Sequence, residues 1–148
     1  IYFTLLVVIP LVFVNVGWGY ILTGYLLMHV ICGIIISVIF QLAHVVPEMK
    51  FPLPDKSGNI EDDWAIHQLN TTSNFAKNNK IVSWFVGGLN HQIEHHLFPN
   101  ICHIHYRKIS DIVKETAKEF NVSYFEIPTL REAIKLHARE LKILGQPN

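Results

Sequence analysis

The chain has 148 residues, the size of one domain or part of one, with 12 basic and 12 acidic side chains and no net charge. This balance gives no sign of the basic surface on which nucleic-acid binding depends, so we expect no nucleic-acid partner. All of the charged side chains lie after Pro47, and a charge-free run of this length predicts that residues 1–47 enter a membrane. Cys32 and Cys102 form no CxxC motif and predict no disulfide.

The apolar part, residues 1–46, predicts two membrane spans, one from Ile1 to about Val16 and one from Ile21 to about Val46. Pro10 interrupts the first, and turn residues with aromatic neighbours separate the two, as at a bilayer boundary. At 1.5 Å per residue the second is long enough to cross a hydrocarbon core of roughly 30 Å. The first is short and follows no initiator Met, so we expect it to be truncated, with the natural chain continuing upstream.

Residues 47–148 form the polar part, for which we predict a helical region on the cytoplasmic side of the membrane. Pro47 ends the second span, and Lys50 and Lys56 follow it. Cytoplasmic flanks of membrane spans are enriched in Lys and Arg, although Glu48 and Asp55 offset the charge here. The predicted fold class is therefore all-α: integral membrane helices followed by a helical cytoplasmic cap.

Within this cap the apolar pattern varies along the chain. Trp64 to Lys80 is neither cleanly helical nor stranded, whereas Ile81 to Leu97 is helical in part, loosened by two glycines and stopped by Pro99. His105 to Phe120 predicts an amphipathic helix, and Asn121 to Pro128 an extended connector. The residues expected on one face of the amphipathic helix are Tyr106, Ile109, Ile112, Val113 and Phe120.

Thr129 to Leu144 carries the clearest helix signal in the chain. Thr129 and Glu132 have the spacing of a capping box, and Gly145 and Pro147 follow the end of the pattern. Leu130, Ile134, Leu141 and Leu144 form an apolar stripe along this helix, and His137 lies within the stripe.

The most informative feature is a cluster of imidazoles between Gly87 and Pro99, namely His91, His95 and His96 with the amide of Gln92. Neutral imidazole is the commonest protein ligand for iron, zinc, copper and nickel. On a helix, Gln92, His95 and His96 span about 100°, and His91 lies about 40° from His95, while Glu94 points the other way. Both the Gln92/His95/His96 set and the His91/His95/His96 set therefore remain open. The alternative is a surface cluster without metal, which would leave costly unsatisfied imidazoles in an apolar stretch.

Two further histidines lie in the apolar part. His44 ends the second span, where it is either a metal ligand or an imidazole that satisfies the last helix carbonyls. His29 lies 15 positions earlier, about 22 Å along a helix, so it cannot share a metal with His44. An interhelical hydrogen bond is the expected role of His29.

The remaining histidines favour other roles. Cys102, His103 and His105 lack the usual spacing of a zinc site, and His67 and His137 are expected to be structural or surface residues. His44, Gln92, His95 and His96 thus supply four donors at most. Four donors could complete one tetrahedral zinc site, but two irons need roughly twice as many.

The segment from Gly87 to Pro99 resembles the third histidine box of membrane fatty acid desaturases. Its Gln-x-x-His-His form, from Gln92 to His96, is similar to that of front-end, linoleoyl-CoA-type enzymes. The resemblance covers the whole chain. The segments that also resemble the family are Gln41 to His44, Trp64 to Phe75 and Asn100 to Tyr106.

This resemblance implies a membrane diiron enzyme that uses O2 and two electrons to introduce a cis double bond into a fatty acyl chain. By motif, His95 and His96 would be iron ligands, His44 a further ligand, and Gln92 either a ligand or a hydrogen-bonding neighbour. The two earlier histidine boxes of the family are missing from this chain. We therefore expect a C-terminal fragment, inactive alone, whose remaining ligands for two iron ions lie upstream.

The resemblance also implies the partners: a fatty acyl substrate carried on CoA or a lipid, membrane lipid, and an electron donor such as a b-type cytochrome or a ferredoxin. One alternative is a sphingolipid-type desaturase or a hydroxylase on the same scaffold. The other is a membrane carrier of zinc that performs no redox chemistry.

Overall fold

The computed structural model describes residues 1–60 and 63–146, and it is mostly helical, as the sequence predicts. The chain folds as two compact units, one comprising residues 1–38 and the other beginning at Ile39. The predicted Pro147 after the last helix lies outside the described residues.

The first unit consists of a short apolar helix and the greater part of a long one. A π-helical turn, Thr4–Val8, continues as α1 (Ile9–Phe13), with Pro10 in its first turn, where the missing amide hydrogen costs no helix hydrogen bond. α2 (Trp18–His44) begins in this unit and has 27 residues. Its length and apolar composition suit a membrane crossing, whereas the shorter segment Thr4–Phe13 has only the composition. The prediction of two spans therefore stays a prediction.

His29 makes the kind of contact that the sequence predicts for it. Its Nδ1 lies 2.8 Å from the carbonyl oxygen of Tyr25, and its Nε2 lies 3.5 Å from the hydroxyl of Tyr2 in the preceding apolar segment. The three rings pack against one another. His29 is thus used in packing within the first unit.

The second unit is built from short helices and two very short strands. Its elements are α3 (Trp64–Thr71), β1 (Asn74–Phe75), α4 (Lys80–Phe85), α5 (Gln92–Leu97), a 3₁₀ turn (His103–His105), α6 (Tyr106–Glu119), β2 (Glu126–Ile127) and α7 (Leu130–Leu144). α5 packs against α3 and α6. Gln92, Ile93 and Glu94 at the start of α5 are buried, so this helix belongs to the interior of the unit.

A two-stranded parallel ladder is the one departure from the all-α prediction among the described residues. Asn74 pairs with Glu126, and Phe75 pairs with Ile127. Phe75 and Ile127 are buried in one core cluster with Leu42 and other apolar side chains of this unit. The extended backbone was expected after Asn121, but a partner 52 positions away could not be read from local periodicity.

α6 confirms the predicted amphipathic helix, though only part of the predicted face is buried. Tyr106 and Val113 are buried, whereas Ile112 and Phe120 are 64% and 70% exposed. A second core cluster forms around Val113, Leu69 of α3 and Ile93 of α5. The core therefore meets a narrower stripe of α6 than the sequence pattern predicts.

α7 begins as predicted, and only part of its predicted stripe is buried. The Thr129 hydroxyl accepts a hydrogen bond from the Glu132 amide at 3.1 Å. His137 is buried, with its Nδ1 2.8 Å from the carbonyl oxygen of Val45, and Leu130 packs against the first core cluster. The other members of the stripe are exposed: Ile134, Leu141 and Leu144.

Candidate metal centre

Three histidines from two distant parts of the chain come together in the second unit. The ring centroids of His44 and His96 are 5.0 Å apart, and those of His95 and His96 are 5.8 Å apart, with edge-to-face ring planes. His44 ends α2, while His95 and His96 occupy the last turn of α5. The sequence analysis singled out these three residues, and the fold brings them together.

Each of these imidazoles has its Nδ1 atom held by a neighbouring group. His44 Nδ1 donates to the carbonyl oxygen of Thr71 at 3.1 Å, and His96 Nδ1 donates to Gln68 Oε1 at 2.8 Å. His95 Nδ1 lies 3.3 Å from the hydroxyl of Tyr106. An Nδ1 that donates leaves the lone pair on Nε2, and metal-binding histidines are held by outer partners of this kind.

The electrostatics of the cluster favour the neutral, lone-pair form of His96. Burial, together with the charges of the neighbouring His44 and His95, lowers the pKa of His96 to about 4. At neutral pH this imidazole carries no proton on one nitrogen. A metal ion can therefore bind there without first displacing a proton.

Gln92 lies fully buried at the start of α5, and neither its Oε1 nor its Nε2 has a hydrogen-bond partner among the described residues. A buried amide without hydrogen-bond partners costs free energy unless a ligand or another part of the protein satisfies it. Within residues 1–60 and 63–146, no three His, Cys, Asp or Glu side chains are close enough to hold a metal ion by themselves. The donor set thus fits part of a metal centre, and not a complete one.

The other candidate histidines have different surroundings. His91 is buried at the N-terminal end of α5, with its Nδ1 3.8 Å from Glu94 Oε2 and without a hydrogen-bond partner among the described residues. His103 and His105 are exposed, and the neighbouring Cys102 is a free, exposed cysteine. Gln92 and His91 are thus both buried with an unpaired polar atom, so the two donor sets that the helix geometry allows both stand.

A buried hydrogen-bond network holds Glu94, whose Oε2 also lies 3.8 Å from His91 Nδ1. Its Oε2 accepts from Asn74 Nδ2 at 2.8 Å, and its Oε1 accepts from the hydroxyl of Tyr124 at 3.0 Å. Asn74 Oδ1 also accepts from the amide of Ile93 at 3.0 Å, one of the amides at the start of α5 that lack an intrahelical partner. Asn74 and Tyr124 therefore clamp α5 through Ile93 and Glu94.

The clamp rests on the parallel ladder and extends to the surface. Asn74 lies on β1, and Tyr124 precedes β2 by two positions. The Tyr124 hydroxyl lies 2.9 Å from Ser110 Oγ, and Ser110 Oγ lies 3.4 Å from Lys77 Nζ. Burial raises the pKa of Glu94 against the opposing effect of its hydrogen bonds and of the Lys77 charge. The rotation of α5, and with it the direction of its histidines, depends on these contacts.

Most of the residues that hold the imidazoles were not identified from the sequence. Gln68 and Thr71 belong to the segment that resembles the desaturase stretch before the third histidine box, which was the available signal. Tyr106 stood out only as an apolar residue on α6. Glu94 was noted only for its direction. None of these roles follows from local spacing, because the contacts join residues 11 to 30 positions apart.

Comparison with known proteins adds an independent line of evidence. The family model for fatty acid desaturases matches residues 1–128. An sn-1 linoleoyl-lipid 6-desaturase of Synechocystis sp. is 48% identical over 127 residues, which cover 85% of this chain and 35% of the relative. An acyl-lipid (8-3)-desaturase of Physcomitrium patens is 42% identical over 142 residues, which cover 93% of this chain and 28% of the relative. No solved structure matches the chain.

Proposed function

The chain belongs to the fatty acid desaturase family, and on that premise we propose that it is part of a membrane-bound diiron enzyme that introduces a cis double bond into a fatty acyl chain. The single observation that carries the metal centre is the convergence of His44, His95 and His96, each with its Nδ1 atom held by a neighbour. Gln92 joins this set as a ligand or as a hydrogen-bonding neighbour, because its buried amide has no other partner among the described residues.

When bound, iron would supply the O2 chemistry that removes hydrogen from an unactivated methylene group. The residues of this chain perform the supporting tasks. Gln68 and Thr71 orient the imidazoles of His96 and His44, and the contacts of Glu94 fix the rotation of α5. The burial of His96 keeps its ring neutral at physiological pH, so the lone pair stays available.

The chain spans only about a third of the length of the curated relatives. Four donors are too few for two irons, so we propose that the remaining ligands come from outside these 148 residues. The acyl substrate, on CoA or a lipid, and an electron donor of the b-type cytochrome or ferredoxin class follow from the family. We also propose that the polar region, which begins at Pro47, lies on the cytoplasmic side, as Lys50 and Lys56 favour.

The alternatives have less support. The relatives are named as acyl-lipid and linoleoyl-lipid desaturases, which does not favour a hydroxylase or a sphingolipid-type enzyme. A zinc carrier without redox chemistry has no support from these relatives, which are named as desaturases.

The test uses the full-length enzyme purified in detergent and expressed in a host whose fatty acids can be profiled. We expect about two irons per molecule in the wild type, and we expect His96→Ala to lower both the iron content and the unsaturated product to background. Gln68→Ala should reduce activity or iron affinity by about 10- to 100-fold, because outer partners of metal-binding histidines contribute by this amount.

His105→Ala is the matched control, because it also removes an imidazole, and His105 is an exposed residue of the same unit. It should retain the wild-type iron content and product. Normal product from His96→Ala would contradict the proposed site. One zinc and no iron in the wild-type protein would favour the carrier instead.

A further inference from the structure

A basic cavity lies on the second unit, lined by α4, the segment before α5 and the start of α6. Its volume is about 410 Å³, and its cationic lining residues are Lys77, Lys80 and Arg107. No Asp or Glu lines it among the described residues. Cavities of a few hundred Å³ are the size at which small ligand groups bind, and this one has a positive lining.

Two of the three cations have no ion-pair partner among the described residues. Lys77 pairs with Glu126 at 3.0 Å and with Asp111 at 3.4 Å, on the side of the network that holds Tyr124. Lys80 is the first residue of α4 and Arg107 the second of α6, and neither makes an ion pair within the described part of the chain. In that part of the chain, the cavity therefore presents Lys80 and Arg107 to an anion without a competing ion pair.

The rim of the cavity is apolar and open to its surroundings. Trp84 and Ile104 line it and are 82% and 68% exposed. Ile81 and Phe85, on the same helix as Trp84, are 79% and 65% exposed. Contiguous exposed apolar side chains mark interaction surfaces, and Trp beside Lys or Arg is the composition of a membrane–water interface.

We propose that this cavity binds the phosphate of an anionic membrane glycerophospholipid, with Lys80 and Arg107 as the phosphate-binding side chains and Trp84 and Ile104 against the glycerol and acyl region. A lipid fits both features at once, because its phosphate matches the concave basic lining and its apolar part matches the rim. An acidic protein would match the charge, but its flat surface would not use the cavity. The proposal does not depend on desaturation, since lipid binding is measured without turnover.

The test titrates dioctanoyl-phosphatidylglycerol into the full-length protein in detergent and follows tryptophan emission. Subtracting the emission change of the Trp84→Phe variant from that of the wild type separates the signal of Trp84 from those of Trp18 and Trp64. The Lys80→Gln/Arg107→Gln double variant should weaken binding by about 30-fold, since each cation near a lipid surface contributes about fivefold in affinity. Raising the salt concentration should weaken wild-type binding as well.

The matched control is Lys135→Gln/Arg139→Gln, which removes the same two charges from exposed positions on α7. It should bind the lipid as the wild type does, and both double variants should keep the wild-type thermal midpoint. Equal loss in the two double variants would overturn the proposal in favour of general electrostatic attraction. Inorganic phosphate binding as tightly as the lipid would overturn it in favour of a free-anion site. A Trp84 signal that responds to an added b-type cytochrome or ferredoxin and not to the lipid would overturn it in favour of a protein surface.

Discussion

Removing one hydroxyl group, in Tyr124→Phe, tests whether the Glu94 network holds α5 in place. The hydroxyl lies 3.0 Å from Glu94 Oε1, 2.7 Å from Asn74 Nδ2 and 2.9 Å from Ser110 Oγ. Phenylalanine keeps the ring and its packing. In this variant Asn74 Nδ2 keeps its hydrogen bond to Glu94 Oε2, and Ser110 Oγ still accepts from Lys77 Nζ. The main loss is therefore the donor to Glu94 Oε1, on a carboxyl group that is fully buried.

The magnitude follows from that single orphaned atom. Leaving a buried acceptor without its donor costs about 1–3 kcal/mol, and a carboxylate lies at the upper end of this range. We expect Tyr124→Phe to lower the free energy of unfolding by about 2–3 kcal/mol. The assay is denaturant unfolding of the full-length protein in detergent, followed by tryptophan fluorescence.

Tyr20→Phe is the control, because Tyr20 is 78% exposed and its loss should change stability by less than about 0.5 kcal/mol. Glu94→Gln provides the second leg of a double-mutant cycle with Tyr124→Phe. A Gln side chain is neutral, and leaving a neutral group without its partner costs less than leaving a charged one, so Tyr124→Phe should cost less in the Glu94→Gln background. The two substitutions should therefore be non-additive by about 0.5–3 kcal/mol. Full additivity, or a Tyr124→Phe variant as stable as the control, would refute the proposed clamp.

Three further predictions concern the second unit. Gly88→Ala should destabilise the protein more than Gly87→Ala does. Both residues have a positive φ (78° and 59°), but only at Gly88 would the new Cβ meet a neighbour, the Cβ of His103 at 2.9 Å. The thermal midpoints of the two variants test this. Burial raises the pKa of Glu126, but its hydrogen bonds and ion pairs with Lys114 and Lys77 lower this pKa overall. The ionised Glu126 therefore stabilises the folded protein above its unfolded pKa, and this stabilisation is lost as the pH falls through the lower folded pKa. Unfolding at pH 3 to 6 should show that Glu126→Gln flattens this loss in acid. Thr129→Ala removes the side-chain cap of α7 and should lower the free energy of unfolding by about 1 kcal/mol in the same assay. An unchanged free energy of unfolding would exclude a stabilising role for the cap.

The sequence determined the parts of this protein that depend on local pattern. The charge-free run before Glu48 predicts membrane entry, and α2 (Trp18–His44) has the length that this requires. The spacing from Gln92 to His96 predicts donors on one helix face and Glu94 on another. The same motif, with the segments around it, indicated the family. These features need only chain neighbours, since helix geometry links residues three and four apart.

The tertiary structure decided which groups hold those donors. The Nδ1 atoms of His44 and His96 find their partners on α3, and the network of Glu94 joins Asn74 to Tyr124, 50 positions later. His137 bonds to the Val45 carbonyl oxygen across 92 positions, while Ile134, Leu141 and Leu144 of the predicted stripe are exposed. Local periodicity reports how apolar a face is, but the hydrogen bond that a buried polar group must make decides which face turns inward.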